Sequence, residues 1–463
     1  MEHIRDLTSR RHQGLGFLFT RRGFLLLPVL VVTGGLVLLG AEGLLRSQLE
    51  LVAAERLLAK HQALALAEGR LDEIVTAIAA DPVTASQWTS CPPPSAATLG
   101  TTTCTMGPLS GTFVDGPGGV IKQEVQITVS GLVPDAVNPQ GRQTVEVVVA
   151  VPVGTIFDKG AYGNFVTLNE GTRVDSYDSS TPLAPPGSSA TIQSGATSSN
   201  GIALFRSQVF GDAFVAPGSS IVCYFEPCVI TGVQGIASPP TIPPVRMLTG
   251  TPSGPALTSC PGGALTFDVS SFPYSNIKLS EPCDITFNGD GTLFFQTTNR
   301  VLPLLNYFTL PAGSRLTVNG RVQVVADKLY FGDDFNGPTV VLGADASFTA
   351  YTRYQSRVRG DINNPASGSL GRPRDFTVYA GLSGAPLGEA IPASRTGGTY
   401  YGTFFEGSRL LLPTGQTFGS LIARSNSFIS NSWSQIHQDL SLKNEGAVVS
   451  PTNPIRRRSW RIL

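Results

Sequence analysis

Histidine, methionine and charge are all scarce in this 463-residue chain. It has 4 His and 3 Met, and Asp, Glu, Lys and Arg make up 14 % of residues, against roughly 25 % in an ordinary soluble domain. Beyond residue 81 the sole imidazole is His437. That leaves little for a His-rich metal site and a single base for any serine or cysteine nucleophile. No GxSxG elbow, P-loop or dinucleotide fingerprint occurs. Lys+Arg 33 balances Asp+Glu 33, so a general electrostatic grip on nucleic acid is not expected. Cysteine is absent before residue 81, and Pro28 is the one proline there.

Glycine (51) and proline (34) are plentiful, and nearly all the proline lies after a boundary at Asp81-Pro82. Turns and strands should dominate that part. Before it, residues 24–41 carry no charge, and 18 residues at about 1.5 Å each span about 27 Å, close to a hydrocarbon core. Leu30, Val37 and Leu39 belong to this run. Arg10, Arg11, Arg21 and Arg22 precede it and Glu42 and Glu50 follow, which places the N-terminus in the cytoplasm and the bulk outside. A cleaved secretory signal fits the basic-then-apolar order too, but the run is long and lacks an Ala-x-Ala site. Leu44, Leu45, Leu49, Val52, Leu57, Leu58, Leu64, Leu71, Ile74, Val75 and Ile78 continue it as one amphipathic helix, ended by Pro82. The stripe must pack on a globular head or on copies of itself.

The residues RRGFLLLPVLVV resemble a type IV prepilin processing site, and among such proteins the PilX-like minor pilins. The resemblance makes Gly23 the last leader residue and Phe24 the first mature one, with Phe24, Leu30, Val37 and Leu39 in the membrane anchor. Ser47, Leu49, Glu50, Ala67 and Glu68 match a PilX-type Ser-x-Leu-Glu element and the Ala-rich helix after it. Where most major pilins carry Glu at the fifth mature position, this chain has Pro28, which implies a minor or tip-associated subunit. Proline is tolerated in a first helical turn.

Six cysteines outside the cytoplasm suit disulfides. Sequence neighbours suggest Cys91 with Cys104, Cys223 with Cys228, and Cys260 with Cys283, among 15 connectivities. Two alternating stretches within 119–153 read as paired strands, with Val125, Ile127 and Val129 on one face and the second strand buried on both. From residue 164 onward short apolar triplets separated by Gly, Asn, Asp or Ser indicate a parallel β-solenoid or a sandwich. A Pro-rich stretch at 238–259 reads as a semi-rigid spacer. The run from Asp175 to Ser180, the block around 316–352, and Gly419 and Asn426 ahead of Trp433, His437 and Asp439 resemble the β-solenoid-like region that commonly follows a PilX-type N-terminus. Gln438 departs from that region's His-Tyr-Asp.

His437 with Asp439 could form a base and its orienting carboxylate, but a polar pair closing a terminal coil is the favoured reading. Asp175, Asp178, Asp290 near Asn288, and Asp333, Asp334 and Asn336 offer oxygen ligands of the calcium type, without an EF-hand loop, and 288–291 is first a tight turn. No metal or cofactor is expected. The basic run 455–463 reads as a disordered tail.

The expected fold class is mainly β: a long N-terminal transmembrane and amphipathic helix, then an elongated all-β region, β-solenoid-like. Its parts are a basic cytoplasmic leader (1–23), the pilin-like helix (24–80), a disulfide-bearing β region (81–157), a first solenoid-like segment (158–237), the Pro-rich linker (238–259), a C-terminal solenoid-like domain (260–446) and a basic tail (447–463). The expected role is non-catalytic: a type IV pilus-related minor pilin or assembly protein, single-pass in a bacterial inner membrane with its C-terminal region exported. Lipid, other pilin-like subunits and a surface or glycan ligand are the expected partners, with no nucleic acid. The rivals are a polysaccharide-active β-helix enzyme, which needs carboxylates and a basic group in one groove, and an envelope stalk protein unrelated to pili.

Overall fold

A computed structural model describes the chain from residue 26 to 462, apart from 82–87, 89, 95–99, 110, 182–186, 296–306, 334, 355, 364–370, 383–393, 408, 425–426 and 448–455. It is mainly β, with one long N-terminal helix, Leu26–Ala80, of 55 residues. Pro28 lies within that helix. The chain falls into two compact units. One comprises Met1–Gly69, Pro94–Thr103 and Ser130–Thr144; the other comprises Arg70–Pro93, Cys104–Val129 and Val145–Leu463.

A five-stranded sheet contains the two long strands Val120–Val133 and Gly141–Thr155 as neighbours. Val125, Ile127 and Val129 are buried, as strand alternation demands. The second strand buries Val145, Val147, Val149 and Val151, and also Glu146, which accepts a hydrogen bond from Gln126 Nε2 at 2.6 Å. The basic run expected to trail as a tail instead forms strand Arg456–Ile462, antiparallel to Gly141–Thr155. Its backbone pairs what would otherwise be an exposed sheet edge.

The remaining strands form a 29-stranded sheet system. Each strand pairs in parallel with one about three strands further on, so the chain winds in coils. Tyr307–Leu310, Arg315–Asn319 and Arg321–Ala326 lie under Lys328–Phe331, Thr339–Leu342 and Ser347–Thr352. The apolar-x-apolar triplets explain this winding. Alternate residues point inward, and Phe287, Phe308, Phe331, Phe348, Phe376 and Tyr400 stack as a buried aromatic column, with successive centroids 5.2 to 6.2 Å apart. Each such pair adds about 0.5–1.5 kcal/mol beyond burial.

The coils do not stack in chain order. The last ones, Gly415–Ala423, Ser427–Ser430 and Gln435–Asp439, pair with the first, Ala161–Gly163, Phe165–Leu168 and Arg173–Tyr177. The 158–237 and 260–446 segments therefore share one stack. The Pro-rich stretch between them is not a free spacer. Val114 N donates to Pro244 O and Arg246 N to Val114 O, both at 2.9 Å, and Ile242, Val245, Met247 and Leu248 pack on a core that includes Tyr351 and Tyr379. Proline without an N–H suits such an outside edge.

Candidate functional site

The N-terminal helix is long and apolar enough to cross a membrane over part of Leu27–Ala80. Leu30, Val37 and Leu39 are 63 %, 71 % and 67 % exposed. Gly23 and Phe24, the processing residues implied by the pilin resemblance, lie outside the described residues. The stripe expected to pack is only partly used: Leu44, Leu45, Leu49, Val52, Leu57 and Leu58 stay exposed, whereas Leu71, Ile74 and Ile78 are buried.

Within the helical unit, packing begins at alanine. Ala59, Ala63 and Ala67, four residues apart and so on one face, are buried. Facing them are Gly131 and Gly141, at the ends of the two long strands. A Cβ on Gly131 would overlap the Ala63 carbonyl, and one on Gly141 would overlap that of Ala59. Ser130 Oγ and Thr144 Oγ1 hydrogen-bond at 2.7 Å and tie the strand ends together. Sequence reasoning followed the leucines and missed this contact; the alanine spacing was its signal.

In the other unit, His437 and Asp439 do not close a terminal coil. Strand Gln435–Asp439 is covered by Arg173–Tyr177, with His437 opposite Asp175, Gln438 opposite Ser176 and Asp439 opposite Tyr177. His437 Nδ1 lies 2.5 Å from Asp175 Oδ1, and Arg173 Nε donates to Asp175 Oδ2 at 2.8 Å. The imidazole stacks on Phe418 at 4.4 Å. Gln438 Oε1 accepts from Thr191 N, and its Nε2 donates to Asp158 O. Asp439 takes hydrogen bonds from Ser179 N, Ser179 Oγ and Ser441 N. The carboxylate that orients His437 is thus Asp175, from across the seam, and not Asp439. His437 is 6 % and Asp175 1 % exposed, so the pair is enclosed between strands. Trp433 sits in the preceding turn, exposed, and Gly419 lies beside Gly402 and Pro373; Asn426 is outside the described residues.

The other carboxylates are engaged locally and apart from one another. Asp178 Oδ1 accepts from Ser180 N and Oγ, and Asp333 Oδ1 accepts from Phe335 N and Asn336 N at 2.7 Å each. Those N–H bonds hold the Asp333 carboxyl below its ordinary value. Asp290 is lowered by hydrogen bonds from the Arg321 side chain and backbone. Among the described residues no three His, Cys, Asp or Glu gather as a metal site. Asp290 lines a surface cavity of about 690 Å³ with Asn319, Arg321, Asp345, Arg372 and Arg374. That groove offers hydrogen bonds and charge of both signs, and His437 and Asp175 do not line it.

Three disulfides join sequence neighbours: Cys91–Cys104, Cys223–Cys228 and Cys260–Cys283. Cys260–Cys283 ties the first coils of the 260–446 segment, where Cys283 and Ile285 enter the core. Loop-closing bonds of this kind act mainly on the unfolded chain.

Fold and surface together define a mainly β chain carrying a single N-terminal apolar helix, a candidate membrane anchor or signal. No family model matches the sequence, and no curated protein matches it. A solved structure similar to the chain is the competence-associated pilin ComZ from Thermus thermophilus, at 10 % identity, with 88 % of this chain and 97 % of that one covered and a TM-score of 0.21. That correspondence is too loose to argue from.

Proposed function

We propose that this chain is a non-catalytic, membrane-anchored subunit of a type IV pilus-related assembly, of the minor-pilin kind, with its N-terminus cytoplasmic and its coils exported as a β-solenoid. The apolar helix fits a pilin-like arrangement, and the prepilin-like residues Arg21, Arg22, Gly23 and Phe24 motivate the family reading. The observation that carries it is a mismatch of lengths. Apolar residues stand exposed from Leu27 to Leu58, about 48 Å of helix, while a hydrocarbon core takes about 30 Å. Lipid therefore covers roughly the first two thirds. Leu49, Leu51, Val52, Leu57 and Leu58 are left for other helices, as packing among pilin-like subunits would supply.

Mass spectrometry of the protein purified from membranes of its own host tests this. The expected mature chain starts at Phe24, N-methylated. An intact Met1, or a cut after Gly40, overturns the pilin reading in favour of a stalk protein or a secreted one.

A further inference from the structure

The coil stack is open at both ends. Its last coil comprises Ser220–Phe225, Val229–Ile230 and Gln234–Ile236, each paired in parallel with the coil before it. The opposite end comprises Ala256–Leu257 and Ala264–Asp268, paired with Asn276–Lys278 and Asp284–Asn288. Among the described residues no further strand continues the register beyond either coil. Terminal repeats of stacked folds ordinarily carry a polar cap, and open edges ordinarily carry charge. Here Glu226 is the one charged residue from Ser220 to Ile236, and there is none from Ala256 to Phe267.

What the ends expose is the core itself. Ile202 and Val209 are fully buried, whereas Ile221 and Ile230, paired above them, are only partly so, and Ile236, above Val215, is 68 % exposed. Nine large apolar side chains stand exposed beyond the helix among the described residues, and four of them, Tyr224, Phe225, Val233 and Ile236, lie on this one coil. At the opposite end Leu265 and Phe267 are partly buried over Ile285 and Phe287, and Phe272 packs edge-on against Phe287. The disulfides Cys223–Cys228 and Cys260–Cys283 sit in these two end coils. Each end is thus tied covalently where it has a neighbouring coil on one side alone.

We propose that the two ends bind each other between copies of this chain, the 220–236 coil of one seated head to tail on the 256–268 coil of a second. Register makes the ends complementary. An unbroken file of paired residues runs from Leu265 through Val340, Tyr400 and Ile436 to Val174 and Ile230, so Leu265 of a second copy continues it above Ile230. Direction selects the arrangement. The ladders of the stack are parallel, and a two-fold contact of like ends would set matching strands antiparallel. The seam supplies the precedent, since Gln435–Asp439 already seats on Arg173–Tyr177 in parallel without chain continuity. Register shifts interrupt the ladder in Ser220–Phe225, which leaves the apolar column ends to carry most of the contact. Such an interface is heterologous and does not close, so copies add in a row.

The test mixes two full-length proteins in detergent micelles, one carrying Thr231→Cys and the other Thr266→Cys, and oxidises them mildly with diamide. Both positions are exposed, and the native cysteines are already paired. The register that sets Ile230 on Leu265 sets residue 231 on residue 266, about 4.8 Å apart, within reach of a disulfide. The mixture is expected to give a cross-linked dimer at least about tenfold above the background from Val137→Cys mixed with Thr266→Cys, because seated thiols meet at a raised effective concentration. Neither variant alone is expected to exceed that background. Ile236→Lys in the Thr231→Cys chain is expected to return the yield to background. Leu57→Gln in both chains is expected to leave it unchanged, so the result does not rest on the pilin reading. Should Ile236→Lys fail to fold, Val233→Lys, at another exposed position, is expected to act in the same way. No excess over the Val137→Cys control, a dimer from either variant alone, a yield unchanged by the lysine variants, or one that falls with Leu57→Gln overturns the proposal.

Discussion

In the helical unit small residues meet small residues, Ala59, Ala63 and Ala67 against Gly131 and Gly141, while the leucines of the first half of the helix face outward. In the coils the large side chains do the packing: Phe308, Phe331, Phe348 and Phe376 are fully buried. The first arrangement leaves apolar area free for something outside the chain. The second consumes it and presents polar and charged faces.

Substitutions separate the two arrangements. The largest effect is expected at the seam. Asp175→Ala leaves His437 and Arg173 facing a vacated carboxylate site and should cost about 3–5 kcal/mol, read as a lower denaturant midpoint for the coils with the helix still membrane-associated. Phe348→Ala should cost about 3–5 kcal/mol through transfer and cavity terms, with the same selectivity. Gly131→Val forces the strand off the helix and should cost about 1–3 kcal/mol or more. Hydrogen exchange would then rise around 59–67 and 130–144, while the aromatic column keeps its protection. Equal loss of protection in both places would mean that the two arrangements are one cooperative structure.

Smaller effects sharpen the contrast. Asp290 is held below its ordinary value of 3.8, so the stability it contributes is complete above the unfolded pKa and is lost as pH falls through the lower folded one. As a half-exposed pair with Arg321 it is worth less than about 1 kcal/mol. Asp290→Asn should therefore lower stability by less than about 1 kcal/mol above about pH 4, with the difference from the parent vanishing as the pH falls below that. Leu57→Gln should leave stability within about 0.5 kcal/mol of the parent, yet weaken co-purification with helix partners. A loss of coil stability in that variant would show that Leu57 packs within the chain.

How much of this was legible follows from what is local. Alternation in 119–153 and the triplets after 164 carry their own periodicity, so strands and buried faces were visible, as were the uncharged run 24–41 and a helix ending near Ala80. The stacking order was not. His437 and Asp175 stand 262 residues apart in sequence, and nothing local in either triplet names its neighbour. Asp439, two residues away and on the same face, was the nearer carboxylate and misled. The tail failed for the same reason: strand Arg456–Ile462 is defined by the open edge of Gly141–Thr155, far away in sequence.

The seam also sets a timetable. A chain delivered N-terminus first presents Ala161–Gly163, Phe165–Leu168 and Arg173–Tyr177 long before the strands that cover them. Their free edges wait for Ser427–Ser430 and Gln435–Asp439, nearly the last coils to emerge. Pairings of such sequence separation are slow to form, and open parallel edges attract other chains meanwhile. A truncation that stops short of residue 427 therefore removes more than its own coil: it leaves the earliest coils uncovered, and stickiness rather than simple instability is its expected defect.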